Sequence, residues 1–291
     1  MKIKCYAKIN LSLDVTGKTE NGYHNLDSIF QLVSVYDILN LSVAEGDGID
    51  FTCDNPEIPC DEKNLAYQAA KLLLEYSGKK AKIIINLEKH IPSGAGMGGG
   101  SADCAGVLYG LNKLLNLNYS NQELRNLGVQ LGADVPFFLL GGTAFAQGIG
   151  EMLTALKPLQ QLPLVILKGK ESISTPEAYR AIDKLENPVH PDTKSMLQAI
   201  ATQDKNLLCQ SCANLFESVI DCQDVMRAKT ALLKHGAKCA VMTGSGSAVF
   251  GIFENQESAQ VCEEKLKQDF VFVQACLTEE KNFTEIQEVL F

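Results

Sequence analysis

The sequence predicts an α+β protein built from two units, and three features carry that expectation. Residues 3–15 alternate polar and apolar at period two; a glycine-rich stretch at residues 92–102 divides a strand-like run from a helix-like one; and strand and helix patterns begin again near residue 156. A chain of 291 residues is long for one compact unit and comfortable for two, which we place at 1–155 and 156–291. The expected layout is helices packed on one side of mainly antiparallel sheet, not a doubly wound parallel sheet.

The elements follow in order. In residues 3–15, Ile3, Cys5, Ala7, Ile9, Leu11, Leu13 and Val15 share one face of a strand. Lys4, Tyr6, Lys8, Asn10, Ser12 and Asp14 share the other, so the strand reads as half-buried with Lys8 and Asn10 side by side. Residues 16–22, TGKTENG, read as a turn, and residues 26–41 as two more strands. Residues 64–76 repeat at helical spacing, and 82–87, KIIINL, read as a strand. From Ser101 the apolar positions Cys104, Val107, Leu108, Leu111, Leu114 and Leu115 fall at helical intervals. Ser120 and Glu123 form a capping box for the next helix, which stops near Gly132. In the second unit 162–167 is a strand, helices dominate 176–235, and 238–253 is a hairpin around TGSGS. A helix and a final strand at 270–277 complete the pattern.

Composition narrows the function. A formal net charge of −9 argues against binding nucleic acid or an anionic membrane surface. The alternating start is unlike a signal-peptide core, and no apolar run approaches the roughly 18 residues of a membrane span. Ten scattered cysteines then read as reduced thiols of a cytoplasmic protein. The CxxC of Cys209 and Cys212 has no second pair at zinc spacing and reads as buried core thiols. His90, His190 and His235 lack metal-ligand spacing and read as surface residues.

The glycine-rich stretch comprises Pro92, Ser93, Gly94, Ala95, Gly96, Met97, Gly98, Gly99, Gly100, Ser101 and Ala102. Glycine permits positive φ and a close approach of backbone to an anion. A helix that opens beside it adds unpaired N–H groups and the positive end of its dipole. The stretch is therefore a candidate phosphate cradle. It is not a Walker A loop, which needs Lys after its last glycine; nor a dinucleotide fingerprint, which needs an acidic residue about 20 positions on. HRD and DFG, the companions of a protein-kinase loop, do not occur.

Together the segments AKINLSLDVTGKTENGYH, PSGAGMGGGSADCAGVL, LGADVPFFLLGG and MTGSGSAVF give the chain, over nearly its whole length, a pattern that resembles the GHMP class of small-molecule kinases. The resemblance implies an N-terminal unit like domain 2 of ribosomal protein S5 and a ferredoxin-like C-terminal unit. It implies transfer of a phosphoryl group from ATP to a hydroxyl, with Mg²⁺ expected because it neutralises β- and γ-phosphate charge. Lys8 and Asp134 match the catalytic pair, residues 92–102 match the ATP loop, and Asn64 and Lys89 are the further nucleotide candidates. Gly22, Tyr23 and His24, with LGADVPFF, imply a small substrate carrying a cytidine diphosphate group. Tyr23 and His24 are the implied cytidine contacts, Thr175 and Tyr179 a second aromatic segment, and Asn10 a substrate contact. Two positions depart from the class: Ala102 stands where a second serine is usual, and Lys63 where an aspartate is usual. The rival readings are a mevalonate- or homoserine-type GHMP kinase and a nucleotide sensor of the same fold. The TGSGS cluster, with Gly244 and Gly246, reads either as a plain hairpin turn or as a loop closing over the site.

Overall fold

The structure, a computed structural model, describes residues 1–20 and 22–286. Asn21, part of the turn expected at 16–22, lies outside the described residues.

The longest pairing in the molecule joins β1 (Lys2–Lys18) antiparallel to β2 (His24–Ala44). β2 is one strand where two were expected. Between the Tyr6–Tyr36 and Ala7–Val33 pairs the register slips, leaving Ser34 and Val35 as a bulge that bends the strand without ending it. β1 also departs from the expected half-burial: Lys8, Asn10, Ser12 and Asp14 on its polar face are at most 5 % exposed. The strand crosses the interior, so its polar face is a lined site and not a solvated surface.

β3 (Gly48–Cys53), which the sequence pattern does not reveal, lies parallel to β4 (Lys82–Glu88), and β4 lies antiparallel to β2. β5 (Thr143–Gln147) and β6 (Met152–Ala155) extend the other end of β2. Against one face of this sheet pack α1 (Leu65–Ser77), α2 (Gly99–Leu114), α3 (Asn121–Leu131) and α4 (Val135–Leu140). The expected capping box of Ser120 and Glu123 starts α3, and Gly132 ends it. α2 begins two residues earlier than expected, because Gly98 turns left-handed at φ +69° and releases the chain into the helix.

The second half opens on β7 (Pro163–Lys168), followed by α5 (Thr175–Ile182), α6 (Thr193–Thr202) and α7 (Lys205–Ser211). The short β8 (Ala213–Asn214) returns to β1, pairing with it in parallel. Then come α8 (Gln223–Lys234), β9 (Cys239–Met242), β10 (Val249–Ile252), α9 (Gln256–Leu266) and β11 (Phe272–Leu277). β7, β9, β10 and β11 form an antiparallel sheet of order β11-β7-β10-β9, the ferredoxin-like arrangement. β12 (Phe283–Glu285), equally hidden in the sequence, pairs with β1. Two strands from beyond residue 155 thus complete the first sheet.

β7 shows how the layers join. Its alternate residues Val165 and Leu167 face the core under α8 and α9, while Leu164 and Ile166 face the core shared with Ala7, Ile9 and Leu11 of β1. Both faces are apolar because both are covered. Among the described residues no helix is long and apolar enough to cross a membrane.

Candidate active site

The glycine loop lies between two clefts. One, about 390 Å³, is walled by the loop and by Ile58, Pro59, Lys63, Asn64 and Leu65. The other, about 350 Å³, holds Lys8, Asn10, Asp134, Thr175 and Tyr179. Gly96, Gly98 and Ser101 line both. An extended ligand in the first cleft can therefore present its end to the second across these residues. Two of the glycines are required by close packing. A Cβ at Gly96 would come 2.2 Å from the carbonyl oxygen of Thr243, and one at Gly98 would come 2.7 Å from the ring of Phe138. Pro92, Ser93, Gly94, Ala95, Met97, Gly99 and Gly100 complete the wall of the first cleft. Ala102 does not: its side chain is buried in the core, and only its N–H serves the loop, donating to Gly98 O at 2.9 Å.

Lys8 Nζ stands 3.6 Å from Asp134 Oδ2 and 4.6 Å from the centre of the Phe30 ring. Asp134 occupies the N-cap position of α4 but makes no side-chain capping bond, so its carboxylate is left to face Lys8 and the cleft. Its side chain is 32 % exposed, against 6 % for Lys8. A shielded ammonium thus sits beside a carboxylate that a ligand can reach. Lys8 N–H donates to Met97 O at 3.0 Å, fixing the strand to the loop.

Asn10 was expected to touch substrate, and the structure gives its amide a different set of partners. Oδ1 accepts from Lys8 Nζ at 2.9 Å, from the Gly244 N–H at 2.9 Å and from Thr243 Oγ1 at 3.1 Å; Nδ2 donates to Ser28 Oγ at 2.9 Å. Asn10 therefore ties the catalytic-candidate lysine to residues 243–247. That segment does more than turn a hairpin. Thr243 reaches Gly96 O at 3.4 Å, Ala248 N–H donates to Ala95 O at 3.3 Å, and Asn214 holds the Gly244 carbonyl at 2.8 Å. It closes on the glycine loop from the second half of the chain.

On the far side of the second cleft, the His24 ring stacks on Tyr179, centroids 4.6 Å apart and 22° between planes, and Tyr179 meets Phe216 edge-on. Burial, and then the charge of Asp134, push the Tyr179 hydroxyl up to about 12. Asp183 accepts from Lys18 at 2.6 Å and pairs with His24 Nε2 at 2.7 Å; the Lys18 bond first, then the His24 bond, hold its carboxyl below the ordinary value. Thr175 Oγ1 lies 2.7 Å from Ser245 Oγ, within reach of the same cleft. Tyr23 is not brought in: it is 59 % exposed and lines neither cleft.

The two further nucleotide candidates also find partners. Asn64 caps α1, accepting from Ala66 N–H and donating to Pro59 O, while still lining the first cleft. Lys89 is not solvated; its side chain lies between Asp37 and Asp103, and it lines the first cleft together with Asp103. Asp37, Asp103 and Asp183 were not found from sequence. For Asp37 the one available signal was a charge inside the apolar run VSVYDILNL.

Elsewhere, His190 pairs with Asp14 at 2.8 Å, and His235 is half-buried at the end of α8. Cys209 and Cys212 are half-buried and pack, with Cys239, against the core shared by the two sheets; the neighbouring Cys239 thiol, then burial, pushes Cys209 up. Among the described residues no three His, Cys, Asp or Glu side chains converge as a metal cage.

Comparison with known proteins agrees with this geometry. Residues 64–142 match the family model of the GHMP kinase N-terminal domain, and residues 196–271 that of the GHMP kinase C-terminal domain. The chain belongs to the GHMP kinases and is an ATP-dependent small-molecule kinase. Its relatives include the 4-diphosphocytidyl-2-C-methyl-D-erythritol kinase of Clostridium tetani, 44% identical over 93% of this chain and 97% of the relative. The enzyme of the same name from Caldicellulosiruptor bescii is 44% identical over 92% of this chain and 94% of that one. A crystal structure of 4-(cytidine 5'-diphospho)-2C-methyl-D-erythritol kinase superposes with a TM-score of 0.84 at 34% identity, covering 97% of this chain and 100% of that one. A homoserine kinase from Cytophaga hutchinsonii, 20% identical with a TM-score of 0.77 over 98% of this chain and 96% of that one, shares the fold.

Proposed function

We propose that the protein transfers the γ-phosphoryl group of ATP to the 2-hydroxyl of 4-diphosphocytidyl-2-C-methyl-D-erythritol, a step of the non-mevalonate route to isoprenoids. The observation that carries this reading is the meeting of two clefts at Gly96, Gly98 and Ser101, with Lys8 and Asp134 on one side of the junction. ATP occupies the first cleft, its phosphates held by loop N–H groups and the N-terminus of α2. The cytidine-bearing substrate occupies the second, with its base toward Tyr179 and His24. The two halves of the chain, 1–155 and 156–291, then work as units that close on the reactants from either side, Thr175, Tyr179 and residues 243–247 coming from the second.

In this arrangement Asp134 orients the attacking hydroxyl and accepts its proton, and Lys8 beside it offsets charge at the transferring group. Asn10 is assigned to holding Lys8 in place. Mg²⁺, arriving with ATP, would neutralise charge on its phosphates. Within this reading the enzyme works in the cytoplasm, which supplies ATP and keeps its ten cysteines reduced.

The mevalonate- and homoserine-type alternatives share the fold but have no base to meet the aromatic end of the cleft. Phosphorus NMR of the product tests the assignment. The expected spectrum shows one new monoester on the carbon-2 oxygen and stoichiometric ADP; a monoester on another hydroxyl would contradict the placement of Asp134.

A further inference from the structure

Lys89 follows directly on β4, three residues before the glycine loop begins. Its side chain is 6 % exposed, and its ammonium lies between two carboxylates: Asp37 of β2, fully buried, and Asp103 of α2 at 2.8 Å. The second oxygen of Asp37 accepts the backbone N–H groups of His90 at 2.6 Å and Ile91 at 2.8 Å. The leaving end of the loop meets the same point, since a Cβ at Gly99 would lie 3.0 Å from Ile91 Cγ2 and 3.3 Å from Lys89 Nζ. Three side chains thus fasten the chain that enters the loop to the helix that leaves it.

Between those anchors the loop has few holds of its own. Met97 O takes the Lys8 N–H, Ala95 O takes the Ala248 N–H and Gly96 O faces Thr243. Fixing backbone costs conformational entropy, most of all at glycine, so the shape of this loop depends on where its ends are tied. The cluster is also an uneven one, with two carboxylates to one ammonium. Asp103 Oδ1 is buried with no hydrogen-bond partner, and burial pushes the Asp103 carboxyl up to about 7 against the pull of Lys89. Lys89, although burial works against its charge, is held above its ordinary value by Asp103 and Asp37. Packing alone would be served at lower free-energy cost by apolar side chains.

We propose that Lys89, Asp37 and Asp103 form the positioning unit of the phosphate loop, setting its affinity for the triphosphate of ATP through the shape they impose on the loop. The inference rests on the ATP dependence stated above. Asp103→Ala cuts the tie to α2 and leaves Lys89 and Asp37 as a neutral pair; Asp103→Asn keeps a carbonyl oxygen to accept the lysine bond.

The test measures ATP Kd, both KM values, kcat and hydrogen exchange of the amides at 93–98 in the full-length protein. For Asp103→Ala the expected result is an ATP Kd and KM raised about tenfold, with kcat and the second KM within about twofold. Loop amides exchange faster, the unfolding transition stays cooperative, and Asp103→Asn recovers most of the loss. Lys89→Arg, which keeps the charge but changes its reach, is expected to show the same selective loss, and decides the matter should Asp103→Ala not fold. Unchanged ATP affinity in folded variants, or an equal loss for both substrates, overturns the inference while leaving the kinase assignment standing. A wild-type protein with no affinity for ATP overturns both.

Discussion

Lys8 and Asp134 come together from positions 126 residues apart in the chain, one on the central strand and one at the start of a six-residue helix. The carboxylate escapes its capping role because Asp134 is itself helical, at φ −80° and ψ −19°, so its side chain turns away from the helix N–H groups. Asp134→Asn keeps shape and removes the proton acceptor. We expect kcat to fall by about 10²–10⁴-fold, the usual range for a lost general base, with ATP affinity unchanged in a direct binding measurement. Near-normal turnover would remove Asp134 from the mechanism. At this scale the sequence is informative where periodicity fixes a side. The parity of β1 is enough to put Lys8 and Asn10 on the same face. The sequence is silent on Asp37, Asp103 and Asp183, because their roles come from partners 14 to 165 residues away. It is also silent on the bonds that tie Asn10 to Lys8 and to residues 243–244, since a side chain's partners are not written in its spacing.

Among the elements, α5 and the start of β2 make the aromatic end of the second cleft. Tyr179 offers one face to His24 and meets the edge of Phe216, and Asp183, at the C-cap of α5, holds the His24 ring. His24 covers one face of Tyr179, so a base that stacks on that face must share or displace the ring. Stacking on an aromatic side chain contributes about 1–3 kcal/mol. Tyr179→Ala is therefore expected to raise the KM for the cytidine-bearing substrate by about 5- to 150-fold while the KM for ATP moves less than about twofold. Equal changes in both would place Tyr179 in general packing. The strands most legible in the sequence are those with long alternation or apolar runs. β3 and β12 escape notice because six and three residues carry too little pattern. β2 reads as two strands because a bulge interrupts the period of a strand without ending its hydrogen bonding.

For the whole molecule, the site depends on two sheets sharing one core. Ile166 is fully buried on the face of β7 turned toward β1, in the same cluster as Ile9, Leu11 and Met97 of the glycine loop. Ile166→Ala should destabilise by about 2–5 kcal/mol. Denaturant titration is expected to show one shifted transition, because this core joins both halves. Two separated transitions would show that the halves are stabilised independently. The ferredoxin-like half is legible as a succession of helices, hairpin and final strand. The return of β8 and β12 to the first sheet is not, since pairing between distant segments leaves no local trace.

The most direct test supplies the purified enzyme with ATP and Mg²⁺ and measures initial rates on three alcohols: 4-diphosphocytidyl-2-C-methyl-D-erythritol, mevalonate and homoserine. The expected result is turnover of the first, with ADP released, and rates at background for the other two. Preferential turnover of mevalonate or homoserine would contradict the assignment of the second cleft to a cytidine-bearing substrate.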